Sequence, residues 1–349
     1  MRIVVNKYSY VGFGLLALVL FVVGFYMGRY YTDNKRGNFS DEYVLYVYPD
    51  TTPEAIIDSL STVAIRDKSI VRCAKKERLL ERIKPGRYVV KPENSSIYAI
   101  RMVCNGWQTP FNMTVSGTIR TKEAIARKIS NQMMVDSLSV INALNDTAFL
   151  AKYGFTPQNV FAMILPDTYQ MYWTASVEQI FDRFKREYDI FWTEERLAKA
   201  KAQGLTQMEA SVMASIVSGE TLKTYEYPII AGVYLNRYHK RMKLQADPTI
   251  CFIFNYKLDR VLKRHLNADS PYNTYRYVGL PPGPINSPSK ECIDAVLNPQ
   301  KHQYIFFCAS PEFNGTHRFA VTYSQHLKNA REFQRALTIR NKKRAAAKG

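Results

Sequence analysis

Several features that mark whole classes of protein are missing from this sequence. Its five cysteines, Cys73, Cys104, Cys251, Cys292 and Cys308, are scattered without a CxxC pair. An odd, sparse set of this kind excludes a disulfide scaffold and carries no zinc signature. Pairing of Cys73 with Cys104 in an oxidising compartment and two buried free thiols are both open. The five histidines are equally dispersed, and His317 and His326 lack metal-ligand spacing. No Gly-rich phosphate loop, zinc-finger spacing, RNP-type motif or helix-turn-helix pattern is present. A net charge of +18 attracts polyanions in general: nucleic acid, an anionic membrane surface or a carboxylate-bearing polymer. Without a motif it gives no support to specific nucleic-acid binding. Internal repeats are absent as well.

What is present argues for a folded, membrane-tethered chain. Aromatics are plentiful, with 24 Tyr and 18 Phe, and 349 residues suffice for two domains or one large one. Tyr8 to Gly28, "YSYVGFGLLALVLFVVGFYMG", carries no charge and has the length of one helical bilayer crossing. The flank "RYYTDNKRG" offers no small-residue cleavage site, which favours an uncleaved anchor over a removed signal. Arg2 and Lys7 on one side face Arg29, Lys35 and Arg36 on the other, so charge does not settle orientation. The short N-terminal arm makes a cytoplasmic N-terminus with an exported bulk the simpler reading.

Beyond a polar stretch at 29–42, "YVLYVYP" reads as a strand, "TTPEAIIDSL" as a helix capped by Thr52 with Pro53 at its first position, "IRDKSIVRCAKKERLLERI" as a second helix, and "RYVVKP" as a second strand. Strand, helix, helix, strand is the order of a LysM-like module, a small glycan-binding fold, assigned here to 43–106. "SSIYAIRMVCNG" adds a helix stopped by Gly106. The remainder, 107–340, reads as one larger α+β domain. In it "TQMEASVMASIVSGE" opens with a capping box, Thr206 and Glu209. A last helix from Tyr323 to Arg340 leads into a basic tail, 341–349, expected to be disordered.

"ASIVSGETLKTYEYP" raises the question of chemistry, because an apolar helix ends there on a carboxylate, Glu220. A glutamate at a helix end is ordinarily hydrated. Downstream, however, "GVYLNRYHKRMKLQADPTICF" and "SPYNTYRYVGLPPGPINSP" are dense in polar, aromatic, Pro and Gly residues, and long loops of that make generally serve a function. Together "ASIVSGET", "AGVYLNR", "MKLQADPT", "SPYNTYRYVGLPPGPI", "LNP" and "HRFAVTYSQH", with "LPDTYQM" upstream, resemble the endolytic murein (peptidoglycan) transglycosylase family, also called YceG-like.

That resemblance implies an α+β protein with an N-terminal transmembrane helix (8–28), a LysM-like module and a catalytic domain, single-pass in the inner membrane with the catalytic domain periplasmic. It implies a lytic transglycosylase, with Glu220 as the catalytic residue. Asn236 and Arg237 match the family's "NR", and Gln245, Asp247 and Thr249 match its "LQxDPT". Tyr272, Asn273, Thr274 and Tyr275 match its "YNTY"; these nine positions are expected to bind substrate or shape the pocket. By the same resemblance, glycan strands and their polymerases would be the partners, with no metal or organic cofactor. Two departures stand out. The family usually carries another acidic residue two positions before the catalytic one, where Ser218 stands here, so a raised acidity constant for Glu220 must come mainly from burial. "VSGTIR" around Ser116 lacks the glutamate usual before that glycine. A hydrolytic muramidase using Glu220 with Asp247, and a non-catalytic murein-binding scaffold, are the competing readings.

Overall fold

A computed structural model describes residues 7–346; the expected arm at 1–7, apart from Lys7, and the last residues of the tail lie outside them. The chain divides into two compact units, Met1–Asn112 with Gln170–Ala175, and Met113–Tyr169 with Ser176–Gly349. Recruitment of Gln170–Ala175 into the first unit is a return of the chain that a reading by consecutive segments does not anticipate.

The first unit begins with α1 (Lys7–Asn34), whose apolar part is long enough to cross a membrane and is left unburied by the described residues. The helix outruns the apolar stretch, and its last turn docks. Asp33 accepts hydrogen bonds from Arg72 at 3.0 and 2.6 Å, and from the Ser69 hydroxyl. The polar stretch at 29–42 is packed too. Asn38 is fully buried; its amide donates to the Arg66 carbonyl (3.1 Å) and the Ser96 hydroxyl (2.8 Å), and Phe39 beside it is buried. A buried amide with its donors satisfied holds such a segment in place.

Strands β1 (Tyr43–Val47) and β2 (Gly86–Val90) pair antiparallel, Tyr43 opposite Val90 and Val47 opposite Gly86. Between them come α2 (Pro53–Ser61), α3 (Asp67–Lys76) and α4 (Leu79–Arg82). Thr52 caps α2 through the Ala55 N–H (3.3 Å). The single helix expected over "IRDKSIVRCAKKERLLERI" breaks instead at Arg78, which takes a left-handed φ of 51° and lets Leu79 turn into the core, where it is buried. Helix α5 (Ser96–Asn105) closes the layer and ends at Gly106, φ 70°, a conformation glycine adopts without strain. Leu45, Val47, Ile56, Leu60, Ile70 and Tyr88 form the core of this unit.

The second unit runs from β3 (Phe111–Val115), which starts at the end of the first, through α6 (Lys122–Ser130), α7 (Ser137–Asn145) and α8 (Thr147–Ala151) to β4 (Asp167–Met171), which pairs with β3. Helices α9 (Val177–Phe191) and α10 (Glu194–Ala202) lead into α11 (Gln207–Glu220), α12 (Tyr227–His239) and α13 (Asp247–Ile253). After a long irregular stretch come α14 (Lys290–Leu297), the antiparallel pair β5 (Phe306–Ala309) and β6 (His317–Ala320), and α15 (Tyr323–Ala346). Residues 341–346 thus continue the last helix rather than forming a disordered tail.

Helix α11 is the axis of this unit. Every residue from Ala210 to Val217 is buried, and α12, α13 and α14 pack around it. A helix covered on all sides needs an apolar surface all round, which the run "ASVMASIV" supplies. The expected capping box forms: Thr206 N–H donates to the Glu209 carboxylate (2.8 Å), and Glu209 N–H to the Thr206 hydroxyl (3.2 Å). The architecture is mixed α+β, helix-rich, with two-stranded sheets.

Candidate active site

Glu220 is the last residue of α11, because Thr221 turns to an extended conformation. Its side chain reaches the wall of a cleft of about 310 Å³ lined also by Tyr234, Arg237, Gln245, Asp247 and Tyr275, and by Phe306, Phe307 and His326. Tyr234, buried in α12, donates its hydroxyl to Glu220 Oε1. Tyr275 donates to Asp247 Oδ1 at 2.5 Å. The loop after Glu220 is tied down by Glu226, itself buried, which accepts from Thr221 Oγ1 (3.3 Å) and from His317 N–H (2.9 Å).

Burial raises the Glu220 carboxyl from 4.5 to about 7, the hydrogen bond from Tyr234 opposes that rise, repulsion from Asp247 adds to it, and Arg237 opposes it. Desolvation as the leading cause agrees with the absence of an acidic neighbour two positions earlier. Ser218 instead donates to Asn286 Oδ1 (3.0 Å), whose amide donates to the Ser215 carbonyl (2.8 Å). Gly219 is required by packing, since a Cβ there would sit 2.6 Å from Pro248 Cβ. It allows α13, and Asp247 at its start, to approach the end of α11.

The residues singled out in the sequence separate into two groups. Arg237, Gln245, Asp247 and Tyr275 line the cleft with Glu220. Arg237 is oriented by hydrogen bonds to the Leu244 carbonyl (2.5 Å) and to Gln245 Oε1 (3.1 Å), and Gln245 holds a left-handed φ of 54°, an uncommon conformation for a residue with a side chain. The others act behind the wall. Asn236 donates to the His302 and Tyr304 carbonyls (2.9 and 3.0 Å). Asn273, fully buried, donates to those of Leu266 and Ala268 (2.9 and 2.7 Å). Thr249 and Thr274 meet hydroxyl to hydroxyl at 2.9 Å, and Thr274 accepts from Ala246 N–H (3.0 Å). Tyr272 lines a separate cavity, its hydroxyl donating to the Gln158 carbonyl (3.3 Å).

Tyr234 and His326 were not assigned roles from the sequence, although both stand inside quoted motifs. Neither carries a local signal: Tyr234 reads as one more apolar position of α12, and His326 lies far along the chain from Glu220. His326 stacks on Phe306 (5.3 Å between centroids), and burial, with Arg237 nearby, lowers its pKa. Among the described residues no group of three or more His, Cys, Asp or Glu is placed to hold a metal ion.

The YceG-like family model matches residues 45–332, most of the chain and both units. The chain belongs to the YceG-like family. It is 40% identical over 116 residues to a Bacillus subtilis protein named endolytic murein transglycosylase, covering 33% of this chain and 32% of that one. It is 31% identical over 174 residues to a Streptococcus pneumoniae protein of the same name, covering 48% and 31%. The chain thus spans about a third of the length of the curated relatives it matches. The crystal structure of a yceG-like protein from Listeria monocytogenes shares the fold, with a TM-score of 0.56 at 23% identity over 82% of this chain and 98% of that one.

Proposed function

We propose that this family member is a membrane-anchored endolytic lytic transglycosylase, which cuts the β-1,4 bond between N-acetylmuramic acid and N-acetylglucosamine within nascent glycan strands. The observation that carries the reading is the carboxyl of Glu220, raised to about 7 at the wall of a polar and aromatic cleft. A carboxyl of that pKa is partly protonated near neutral pH, as a general acid must be. Glu220 gives its proton to the glycosidic oxygen as the bond to C1 breaks. The C6 hydroxyl oxygen of the same muramyl residue then bonds to C1 through an oxocarbenium-like transition state, and its proton returns to the Glu220 carboxylate. One strand leaves with a free 4-hydroxyl, the other with a 1,6-anhydro end, and no water is consumed.

Tyr234 holds the carboxyl in one orientation through both steps, and Arg237, Gln245 and Tyr275 offer hydrogen-bonding groups to acetamido and hydroxyl substituents. In this reading α1 is the single-pass anchor in the inner membrane, with residues before it cytoplasmic and both units periplasmic. The first unit, with helices α2 to α4 between its two paired strands, is the LysM-like glycan holder, and the polymerases that extrude the strands are the partners.

A hydrolytic muramidase is the second reading, favoured by one observation, that Asp247 lines the same cleft as Glu220 and could serve a water molecule. Mass spectrometry of purified glycan strands after incubation with the full chain in detergent separates the readings. Anhydro-ended fragments from wild type, and none from Glu220→Gln, are expected. Reducing ends that vanish in Asp247→Asn would establish hydrolysis instead, and fragments from Glu220→Gln equal to wild type would leave only a murein-binding scaffold.

A further inference from the structure

The cleft at Glu220 continues past the catalytic carboxyl. Glu220 and Asp247 also wall a second cavity, of about 210 Å³, which Arg120 and Tyr256 line as well. Arg120 and Tyr256 in turn wall a third, of about 300 Å³, lined also by Phe252, Tyr272, Gln158, Glu123 and Lys122, the last donating to Asn145 Oδ1 (2.7 Å). Three cavities therefore follow one another through shared walls, and Glu220 lies at the joint between the first and second. An extended polymer cut internally needs room on both sides of the scissile bond, and this series offers it.

Arg120 stands at the second joint. Its guanidinium lies 5.2 Å from the centroid of the Tyr256 ring, a cation–π contact that holds the charge beside the cavity. Among the described residues it enters no ion pair and no hydrogen bond, and the residue is exposed. Arg237, the cation on the other side of Glu220, is instead committed to Leu244 and Gln245. The third cavity has the aromatic wall a sugar face needs: Phe252 and Tyr272 lie 4.6 Å apart, and Phe252 and Tyr256 6.3 Å.

A free guanidinium beside a sugar-sized aromatic cavity calls for a planar anion, and carboxylate matches its fork. In murein the sugar backbone is uncharged where the lactyl group is bound in amide linkage, so the anions of the strand are the carboxylates of the peptide stems. Resting on the proposed function, we infer that Arg120 binds a stem carboxylate of a muramyl unit seated in the third cavity, making stem-bearing strands the preferred substrate.

Release of anhydro ends is measured with the full chain in detergent on uncrosslinked stem-bearing strands, and on the same strands after carbodiimide amidation of the stem carboxylates. Wild type is expected to lose roughly tenfold in kcat/KM on amidation, the scale of one charged contact. Arg120→Gln is expected to cleave both forms alike, at the rate wild type shows on the amidated form, and Arg120→Lys to keep part of the preference. The rate on amidated strands serves as each variant's own control for folding. Equal wild-type rates on the two forms, or an Arg120→Gln defect of the same size on both with the preference intact, would overturn the assignment. Strands denuded by an amidase, which expose the lactyl carboxylate, should be cleaved by wild type no faster than amidated ones; a full rate there would place the recognised anion on the sugar and sink the stem assignment. Release of no anhydro ends from any strand would strike the transglycosylase reading itself, a result distinct from these.

Discussion

Tyr234 and Glu220 are joined by a hydrogen bond from the phenol to the carboxyl, on two helices packed side by side, with Tyr234 almost wholly buried. The bond favours the ionised carboxylate and so opposes the rise that burial imposes. Glu220 is thereby held between two pulls, one keeping its proton on and one easing its departure, as a group that acts first as acid and then as base requires.

Tyr234→Phe tests this balance. Removing the donor leaves only Arg237 to oppose burial, so the Glu220 pKa rises and the alkaline limb of the pH–rate profile moves upward, by about one unit. The maximal rate should also fall, since the carboxyl loses its fixed orientation. A limb that stays in place, or moves down, would show that the phenol does not bond to the carboxyl.

Stability should depend on pH through the same group. Because the folded pKa of about 7 lies above the unfolded value of 4.5, folding binds the Glu220 proton more tightly. The stabilisation is complete below 4.5 and is lost as the pH rises through 7. Glu220→Gln cannot lose it. The advantage of the variant over wild type in thermal unfolding should therefore grow between about pH 5 and about pH 8, by roughly 1 to 3 kcal/mol; a constant difference across that range would exclude a raised pKa.

At Gly219 the forecast is steric. A methyl group there would press on Pro248 Cβ at 2.6 Å, and a proline ring next to a helix start has little freedom to withdraw. Gly219→Ala should cost roughly 1 to 3 kcal/mol in denaturant unfolding, in the range of overpacked cores, and should depress kcat by displacing Asp247 from Glu220. Wild-type stability in the variant would mean that α11 and α13 do not approach so closely.

Asn273 separates a supporting role from a binding one. Its amide serves two buried-side carbonyls, Leu266 and Ala268. Asn273→Ala should lower stability by about 1 to 3 kcal/mol for donors lost inside the protein. Below its unfolding temperature the variant should keep an unchanged KM for glycan. A raised KM at full stability would return Asn273 to the substrate face.

The sequence on its own was informative wherever the physics is local. The long apolar helix α1 follows from an uninterrupted apolar run, the caps at Thr52 and Thr206 from residues three apart, and the stop at Gly106 from a single backbone conformation. Motif order pointed to Glu220 and to the segments that form the cleft. It could not sort those segments: Gln245 and Asp247 face the cleft while Thr249, two residues on, points into the protein, because the first turn of α13 rotates successive side chains away from one another. The break at Arg78 and the packing of Asn38 likewise depend on partners far along the chain.

What the tertiary structure alone decided is the electrostatic setting of Glu220. Whether a glutamate at a helix end is a hydrated terminus or an acid with a pKa of about 7 depends on walls contributed by α12, α13 and the β5–β6 region, tens of residues away. Desolvation and repulsion act through space, so their magnitude is set by which atoms surround the carboxyl. The sequence named the residue, and the packing around it gave the proton its hold.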